Sequence, residues 1–237
     1  MILIAAWEIL PRAMSISPLV LPPPSDVVRA LIDNLPVYAE NGLVTLQELA
    51  AGFAMGSVVG FGSAVAIFYS PFFRRAVYPV LLGFRIVPKV AFVPLFLIWF
   101  GIGITSKVAL ATFALFFLVL VQTTVGLDAA DREQIEYGRS LRMSEWQIFR
   151  SIRLPVAMPS LMVGLKLGAT YALTNVIVAE MVVAAKGLGY VVVVAHSKLA
   201  TDEVIAAILV VTLFGLLIYW LTSLVERRVT FWYGEDK

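Results

Sequence analysis

Six side chains that can bind or orient a polar solute stand in stretches of the chain that are otherwise apolar. Two of them are cations four residues apart, Arg85 and Lys89, which share one helical face where Pro88 disturbs the backbone. The full set is Arg85, Lys89, Tyr171, Thr174, Asn175 and Glu180. A charge inside a membrane span is costly and by default marks a transport path or an ion pair. We therefore predict a translocation pathway along these residues, and its cations suit an anionic or electron-rich solute.

Two structural alternatives for the same charges stay open. Arg85 or Lys89 can pair with Glu180 or Glu48 without meeting any solute, or their long side chains can reach out to the membrane interface. Glu48 stands near the end of its apolar stretch, where we expect a capping or interfacial position. Lys166 is expected at the cytoplasmic mouth of the pathway.

Composition excludes most catalytic and cofactor chemistry. The chain has no cysteine, and its one histidine, His196, cannot form a multi-histidine metal site. No glycine-rich loop ending in Lys-Ser or Lys-Thr is present to hold the phosphates of ATP. A formal charge of +2, with no basic run among aromatics, gives no sign of nucleic acid binding. We expect a non-catalytic protein without metal or cofactor.

A strongly charged segment interrupts the apolar sequence at 128–153, where ten of 26 residues carry a charge. Ser144 can cap a short helix in which Trp146 and Phe149 lie three residues apart on one face. Aromatic side chains on a charged loop are typical of a surface that fits the groove of another protein. Alternatively, both rings fold back onto the chain's own helix ends, and their spacing does not separate the two interpretations.

The elements that carry these residues must lie in a membrane. Of 237 residues, 60% are hydrophobic and 14% are charged, with a mean hydropathy of +0.91. Soluble domains have about 25% charged residues. A bilayer core takes about 20 apolar residues per helical span, which leaves room for about five or six spans. The sequence predicts one all-α domain over 1–237, a polytopic membrane helix bundle.

Hydropathy and charge divide this bundle into segments. They are a short first span at 1–11, an interfacial helix at 27–42, spans at about 44–69, 77–100, 105–126, 156–185 and 204–225, and the charged hairpin at 128–153. With the hairpin in the cytoplasm, ten Lys and Arg side chains lie on that side and five on the other, Lys107 among them. This agrees with the positive charge of cytoplasmic loops. The first segment is either a clipped or tilted span or a short helix lodged against its neighbours.

Glycines recur every four residues in two of these spans. They are Gly52, Gly56 and Gly60 in one span, and Gly164 and Gly168 in another. Small residues at that spacing let helix backbones approach closely. Packing within the chain and an interface between subunits both fit this pattern.

The hairpin resembles the cytoplasmic signature of permease subunits of binding-protein-dependent ABC importers. That signature reads Glu-Ala-Ala, three residues, Gly, nine residues, Ile-x-Leu-Pro. Glu136 matches its acidic position, and Ile152, Leu154 and Pro155 follow at the same distance. Further matches to the nitrate, sulfonate and taurine subfamily lie in chain order at 21–25, 88–103, 178–181 and 187–190. The resemblance therefore covers nearly the whole chain.

The hairpin departs from the signature at three positions. Tyr137 and Gly138 replace the two alanines, and Arg142 stands where the family has the glycine that makes the turn between two short helices. We expect either that Gly138 takes up the bend or that the turn is rebuilt. Trp146 and Phe149 lie in the segment that the resemblance identifies as the coupling helix.

The resemblance implies the type I ABC importer transmembrane-domain fold in a multi-pass protein of the bacterial inner membrane. Besides the lipid bilayer, it implies as partners a second permease subunit (expected as a homodimer), two cytoplasmic ATP-binding subunits and an extracytoplasmic substrate-binding protein. The hairpin would dock on an ATP-binding subunit, and groups of helices would rock to open the pathway outward. The expected solutes are sulfonates, taurine, nitrate, bicarbonate, or vitamin-precursor pyrimidines and flavins.

A stand-alone ion-coupled carrier or channel is the alternative function. It predicts inverted repeats with paired broken helices, but the sequence has one strongly broken span and no second copy of its Pro-Lys-Val pattern. A membrane enzyme would need paired aspartates, a Ser-Lys arrangement in a span or a set of metal ligands, and none is visible in the sequence.

Overall fold

The structure is a computed structural model that describes residues 2–183 and 185–233, apart from the side chains of Ile2, Val77, Leu81, Leu82, Arg85 and Ile86. In this described part all regular structure is helical, which confirms the predicted all-α fold. The helices are α1 (Ile2–Ala13), α2 (Pro24–Asp33), α3 (Leu35–Tyr69), α4 (Tyr78–Ile86), α5 (Val93–Phe100), α6 (Ile104–Asp128), α7 (Arg132–Ser140), α8 (Glu145–Ile148), α9 (Leu154–Val183), α10 (Leu188–Ser197) and α11 (Thr201–Val229).

Three long helices, α3, α6 and α9, form the centre of the bundle. α6 lies between the other two and packs along both of them. Ala111, Leu115 and Val119 of α6 are fully buried in the core that the three helices share. Within the described residues, the helical stretches long and apolar enough to cross a membrane are 35–69, 104–128, 145–183 and 201–229.

Glycine determines how closely these helices approach. A Cβ added at Gly52 would overlap the Cβ of Ala111, and a Cβ at either of the next two glycines of that stripe would lie 2.9 Å from a carbonyl oxygen of α6. From the other side, a Cβ at Gly164 of α9 would lie 3.0 Å from the carbonyl oxygen of Leu118. These contacts leave no room for a methyl group. Both glycine stripes therefore serve packing within the chain.

The segment predicted as one span at 77–100 is divided in two. α4 ends before Pro88, a 3₁₀ turn covers Lys89–Phe92, and α5 follows. Pro88 breaks the helix because it has no N–H to donate and its ring disfavours a helical conformation at the preceding residue. The break places Lys89 at the turn between two short helices.

Two π-helical turns, Phe73–Val77 and Phe149–Arg153, each end two residues before a proline. In an α-helix, the rings of Pro79 and Pro155 would clash with the carbonyl group four residues earlier. A wider π-helical turn accommodates the ring without ending the helix. The second turn thereby joins α8 and α9 into one continuous helical stretch over 145–183.

Where one interfacial helix is predicted at 27–42, the structure has two helices. α2 ends at Asp33, and α3 begins at Leu35 and continues past Gly42 without a break. A Cβ at Gly42 would lie 2.8 Å from the ring of Phe214. This glycine makes room for α11 against α3, and so it does not end a helix.

α1 is too short to cross a bilayer at right angles. Its 12 residues measure about 18 Å, against about 30 Å for the hydrocarbon core. The Trp7 Nε1–H donates to the carbonyl oxygen of Pro22 at 3.1 Å, and the Ser25 N–H donates to Glu8 at 3.0 Å. These bonds tie α1 to α2, as expected for a short helix lodged against its neighbours.

The glycine packing predicts that Gly52→Ala destabilises the chain by about 1–3 kcal/mol, the usual cost of overpacking. The added methyl group would overlap Ala111. Gly62→Ala is the matched control, because it lies on the same helix with nothing within 4 Å of its Cβ position. The measurement is thermal unfolding of the two variants in detergent. Equal melting temperatures would contradict the assigned packing.

Candidate functional site

The charged hairpin consists of α7 and α8, joined by a tight turn. Asp131 caps α7 by accepting the backbone N–H of Glu133 at 3.0 Å. At the start of α8, the Gln147 N–H donates to Ser144 Oγ at 3.3 Å and the Ser144 N–H donates to Gln147 Oε1 at 2.7 Å. This reciprocal pair is a capping box, and the predicted cap at Ser144 is confirmed.

Arg142 makes the turn between the two helices in the left-handed conformation, with φ +57°. The Arg142 N–H donates to the carbonyl oxygen of Arg139 at 2.9 Å, and the Met143 N–H donates to that of Gly138 at 3.1 Å. This is the Schellman arrangement, which usually has glycine in the left-handed position. Gly138 stays helical and buried beside Ile152. Neither expectation holds: the bend stays at Arg142, and the turn keeps its usual form with an arginine.

The hairpin is anchored to the ends of all three central helices. Phe149 is 4% exposed and packs against Leu127 of α6 and Ala157 of α9. Its ring centroid lies 5.9 Å from that of Tyr69 at the end of α3. Ile148 is also fully buried. Burying one such side chain contributes about 1.5–3 kcal/mol, so the hairpin and the helix ends form one unit.

Polar and apolar contacts reinforce this junction. Arg74, in the π-helical turn after α3, pairs with Asp128 at the end of α6 at 2.7 Å. Leu154, at the start of α9, packs in the same cluster as the buried phenylalanine of the hairpin.

Glu136, at the predicted acidic position, is exposed and pairs with Arg132 at 3.0 Å.

An apolar patch remains on the outer surface of the hairpin. Tyr137, Leu141 and Trp146 expose 67%, 59% and 66% of their surface. The ring of Trp146 stacks on that of Phe149 with centroids 5.5 Å apart, which fixes its orientation. The structure thus separates the two predicted aromatic residues. Phe149 folds back onto the helix ends, and Trp146 faces outward.

A second candidate site is a recess of about 200 Å³ beside the turn that follows Pro88. It is lined by Lys89, Ala114, Phe117, Leu118, Leu167 and Tyr171. Lys89 Nζ donates to the carbonyl oxygen of Phe84 at 3.2 Å and lies 5.7 Å from the centre of the Phe117 ring. An ammonium group and a phenol therefore face an otherwise apolar recess, a composition typical of small-molecule sites.

The exposed face of α9 continues the polar lining of this recess. Thr170, Tyr171 and Thr174 are all exposed on it. Asn175 points into the bundle instead, 2% exposed, and its Nδ2 donates to the carbonyl oxygen of Tyr171 at 2.8 Å. Among the described residues no donor reaches Asn175 Oδ1. The side chain of Arg85 lies outside the described part of the chain.

At the end of the bundle away from the hairpin, a buried polar network joins α3, α6, α9 and α10. Glu48 and Lys107 form an ion pair at 2.7 Å, with side chains 1% and 8% exposed. Glu180, 1% exposed, accepts the hydroxyl of Thr45 at 2.7 Å and the N–H of Gly189 at 2.7 Å. Glu180 therefore belongs to this network and is not among the residues that line the recess.

Sequence reasoning missed most of this network. It did not single out Asn41 or Thr45, and it wrongly placed Glu48 at a capping or interfacial position. Lys107 lies at the end away from the hairpin, as expected, but its burial was not predicted. A signal was present, because Glu48 precedes Gly52 by four residues and so continues the face of the glycine stripe. A charge on a face that packs against another helix requires a buried partner.

The remaining charged groups lie at the periphery. Lys166 of α9 pairs with Glu226 of α11 at 2.5 Å in the half of the bundle nearer the hairpin. Lys186 pairs with Glu40 at 2.9 Å, and this hydrogen bond to a carboxylate raises the pKa of Lys186. His196 is exposed. Over residues 2–183 and 185–233, no three His, Cys, Asp or Glu side chains come together as metal ligands.

The chain is similar to transport proteins in sequence and in fold. The family described as binding-protein-dependent transport system inner membrane component matches residues 56–231. The taurine transport system permease protein TauC of Escherichia coli strain K12 is 34% identical, over 99% of this chain and 88% of that protein. The formylaminopyrimidine transport permease protein ThiX of Halalkalibacterium halodurans is 30% identical, over 92% of this chain and 87% of that protein. Among solved structures, an inward-facing conformation of the MetNI methionine ABC transporter aligns with a TM-score of 0.70 at 18% identity, covering 83% of this chain and 97% of that one.

Replacing one member of the buried ion pair should destabilise the chain far more than replacing both. Lys107→Met leaves the Glu48 carboxylate buried without its cation and is expected to cost about 3–5 kcal/mol of stability. Adding Glu48→Gln removes the uncompensated charge and should restore much of that loss. Denaturant unfolding in detergent measures both. The control is Lys186→Met, which breaks the ion pair between Lys186 and Glu40. Because these side chains are 63% and 66% exposed, the loss of stability should be no more than about 1 kcal/mol. Equal effects of Lys107→Met and Lys186→Met would contradict the assignment.

Proposed function

The chain belongs to the family of binding-protein-dependent transport system inner membrane components, and from that premise we propose how its two candidate sites move a solute. It is a permease subunit of an ABC importer and a multi-pass protein of the inner membrane. Permeases of this family work with ATP-binding subunits and a substrate-binding protein. The stand-alone carrier, the alternative from the sequence, is thereby set aside.

The proposed assembly contains two copies of the chain and two ATP-binding subunits, and a separate protein delivers the solute. The hairpin end of the bundle faces the cytoplasm, in keeping with the arginines concentrated there. The chain itself hydrolyses no ATP, since its sequence has no phosphate-binding glycine loop. The ATP-binding subunits supply the energy for transport by moving the hairpin.

The observation that carries this proposal is an exposed patch and a buried anchor on one short hairpin. Tyr137, Leu141 and Trp146 face outward, while Ile148 and Phe149 are buried in the bundle. An aromatic ring among charged residues is typical of an interface hot spot, so the patch suits a groove on an ATP-binding subunit. When ATP draws those subunits together, the hairpin is displaced. α3, α6 and α9 then move with it as one unit.

Trp146→Ala is expected to uncouple the chain from its ATP-binding subunit. Removing a hot-spot aromatic costs about 2 kcal/mol or more, which is about 30-fold in affinity. The measurements are copurification of the ATP-binding subunit and solute uptake in vesicles at matched expression. The melting temperature should fall only slightly, because the indole is exposed and loses only its stacking contact with Phe149.

Trp220→Ala is the matched control, a tryptophan 57% exposed on α11, whose main packing partners are α2, α9 and α10. It should leave both measurements unchanged. Phe149→Ala should lower the melting temperature as well as uptake, because that ring is buried. Undiminished copurification and uptake in Trp146→Ala would contradict the coupling assignment.

The recess beside Lys89 is the proposed contact for the solute in transit. Its ammonium group and the phenol of Tyr171 favour a small solute with a sulfonate or comparable anionic group, such as taurine. The ring of Phe117 in the same lining also suits a flat pyrimidine. A vitamin-precursor pyrimidine, the type of solute named for one of the relatives, is therefore the second candidate.

Lys89→Met tests the solute contact and separates the two candidates. Uptake of taurine should fall about tenfold if the ammonium group binds the anion, since a hydrogen bond to a charged group contributes about 1.5–3 kcal/mol. Uptake of formylaminopyrimidine, which is uncharged, should change far less. Lys198→Met, at an exposed lysine outside the recess, is the control. Unchanged uptake of both solutes in Lys89→Met would contradict a role for the recess in transport.

A further inference from the structure

α10 lies at the end of the bundle opposite the hairpin, between the end of α9 and the start of α11. Its body packs through Val192 against Val27 of α2 and Ala206 of α11. Its first residues meet polar side chains of α3 and α9. Apolar packing therefore holds the body of α10, while hydrogen bonds to polar side chains hold its beginning.

Side chains of other helices satisfy the backbone at the start of α10. The first four N–H groups of a helix have no partner within it. The Gly187 N–H donates to Asn41 Oδ1 at 2.8 Å. The Leu188 N–H donates to Thr45 Oγ1 at 3.0 Å. Two of these groups are thus held by α3.

Glu180 holds the third N–H and links the set together. Its Oε2 accepts the Gly189 N–H at 2.7 Å, and its Oε1 accepts the Thr45 hydroxyl at 2.7 Å. One carboxylate of α9 therefore bonds both to α10 and to α3.

Two glycines make room for this carboxylate. At Gly187 φ is +117°, and a Cβ there would overlap the carboxylate of Glu180. A Cβ at Gly189 would overlap the carbonyl oxygen of Ile177. The Gly-Leu-Gly segment is therefore fitted closely to α9 and does not act as a flexible linker.

Glu180 lies beside the Glu48–Lys107 pair and interacts with both of its members. Lys107 makes its ion pair with Glu48 at 2.7 Å. The hydrogen bonds that Glu180 accepts come instead from α10 and from Thr45. The side chain of Glu180 is fully buried, and its hydrogen bonds hold the start of α10 against α3 and α9.

We propose that Glu180 is the positioning residue of α10. It fixes the start of α10 to α3 and α9, so that α10 moves with these helices when the outer end opens and does not open as a separate lid. Glu180 acts on transport through α10 without touching the solute. This inference rests on the proposed function only in taking this end of the bundle as the outer one.

The test is backbone hydrogen exchange of peptide 185–197 in the assembled transporter reconstituted in lipid. Glu180→Ala should speed exchange at the start of α10 about tenfold or more, because it leaves the buried Gly189 N–H without its acceptor. Glu180→Gln should stay close to the wild type. Its carbonyl can still accept the Gly189 N–H, and its amide can donate to Thr45 Oγ1.

The matched control is Asp33→Asn, an exposed carboxylate of α2 at the same end of the bundle, which should leave exchange in 185–197 unchanged. A second peptide, 145–157 at the hairpin end, should exchange at the wild-type rate in every variant. Thr45→Val removes one acceptor at nearly constant shape and should speed exchange at Leu188, so it serves if Glu180→Ala does not fold. The proposal is overturned if neither Glu180→Ala nor Thr45→Val speeds exchange, or if 145–157 accelerates equally.

Nucleotide states test whether α10 moves as part of the bundle. In the wild type, exchange in 185–197 should be the same with ADP and with ATP plus vanadate. Loss of protection in either state would mean that α10 opens on its own, and would overturn the proposal. Failure of the proposed function is distinguishable, because it appears as undiminished uptake in Trp146→Ala, which does not depend on exchange at α10.

Discussion

The close approach of α6 to α3 and α9 is the constraint on which the other features depend. Lipid tails are as apolar as leucine, so a membrane provides little hydrophobic drive for helix association, and packing must come from direct contact. Gly52 and Gly164 provide that contact from opposite sides of α6, where a methyl group would meet a Cβ or a carbonyl oxygen. Because such close contacts run along both sides of α6, we expect the three helices to move as one body.

Both ends of this body carry a functional element, and each is attached by buried groups. At the hairpin end, Phe149 inserts among the ends of the three helices and leaves Trp146 outside. At the opposite end, Glu48 and Lys107 join α3 to α6, and Glu180 joins α9 to α10. The recess beside Lys89 lies against α6 and α9 between these ends. A displacement of the hairpin would therefore be carried to the far end by the three packed helices.

Hydropathy and charge were sufficient to predict the all-α membrane bundle, the position of the hairpin and the cap at Ser144. The partner of Glu48 was not predictable, because it is 59 residues away and depends on the register between two helices. Trp146 and Phe149 are both aromatic and lie three residues apart, so the sequence does not indicate which ring is buried. The ends of the central helices that pack against the hairpin decide this. Arg142 adopts the left-handed conformation, which favours glycine. The surrounding turn imposes this conformation, and the residue type does not indicate it.

If the hairpin and the far end of the bundle move as one body, the distance between them within one copy is constant during transport. The chain has no native cysteine, so nitroxide labels can be placed at Gln134→Cys on α7 and Leu43→Cys on α3, both exposed positions. Pulsed electron paramagnetic resonance then measures their distance within one labelled copy of the assembled transporter, with ADP and with ATP plus vanadate. We expect the same distance in both states, while the distance between Leu43→Cys labels on the two copies changes. A distance within one copy that changes as much as the distance between copies would contradict it.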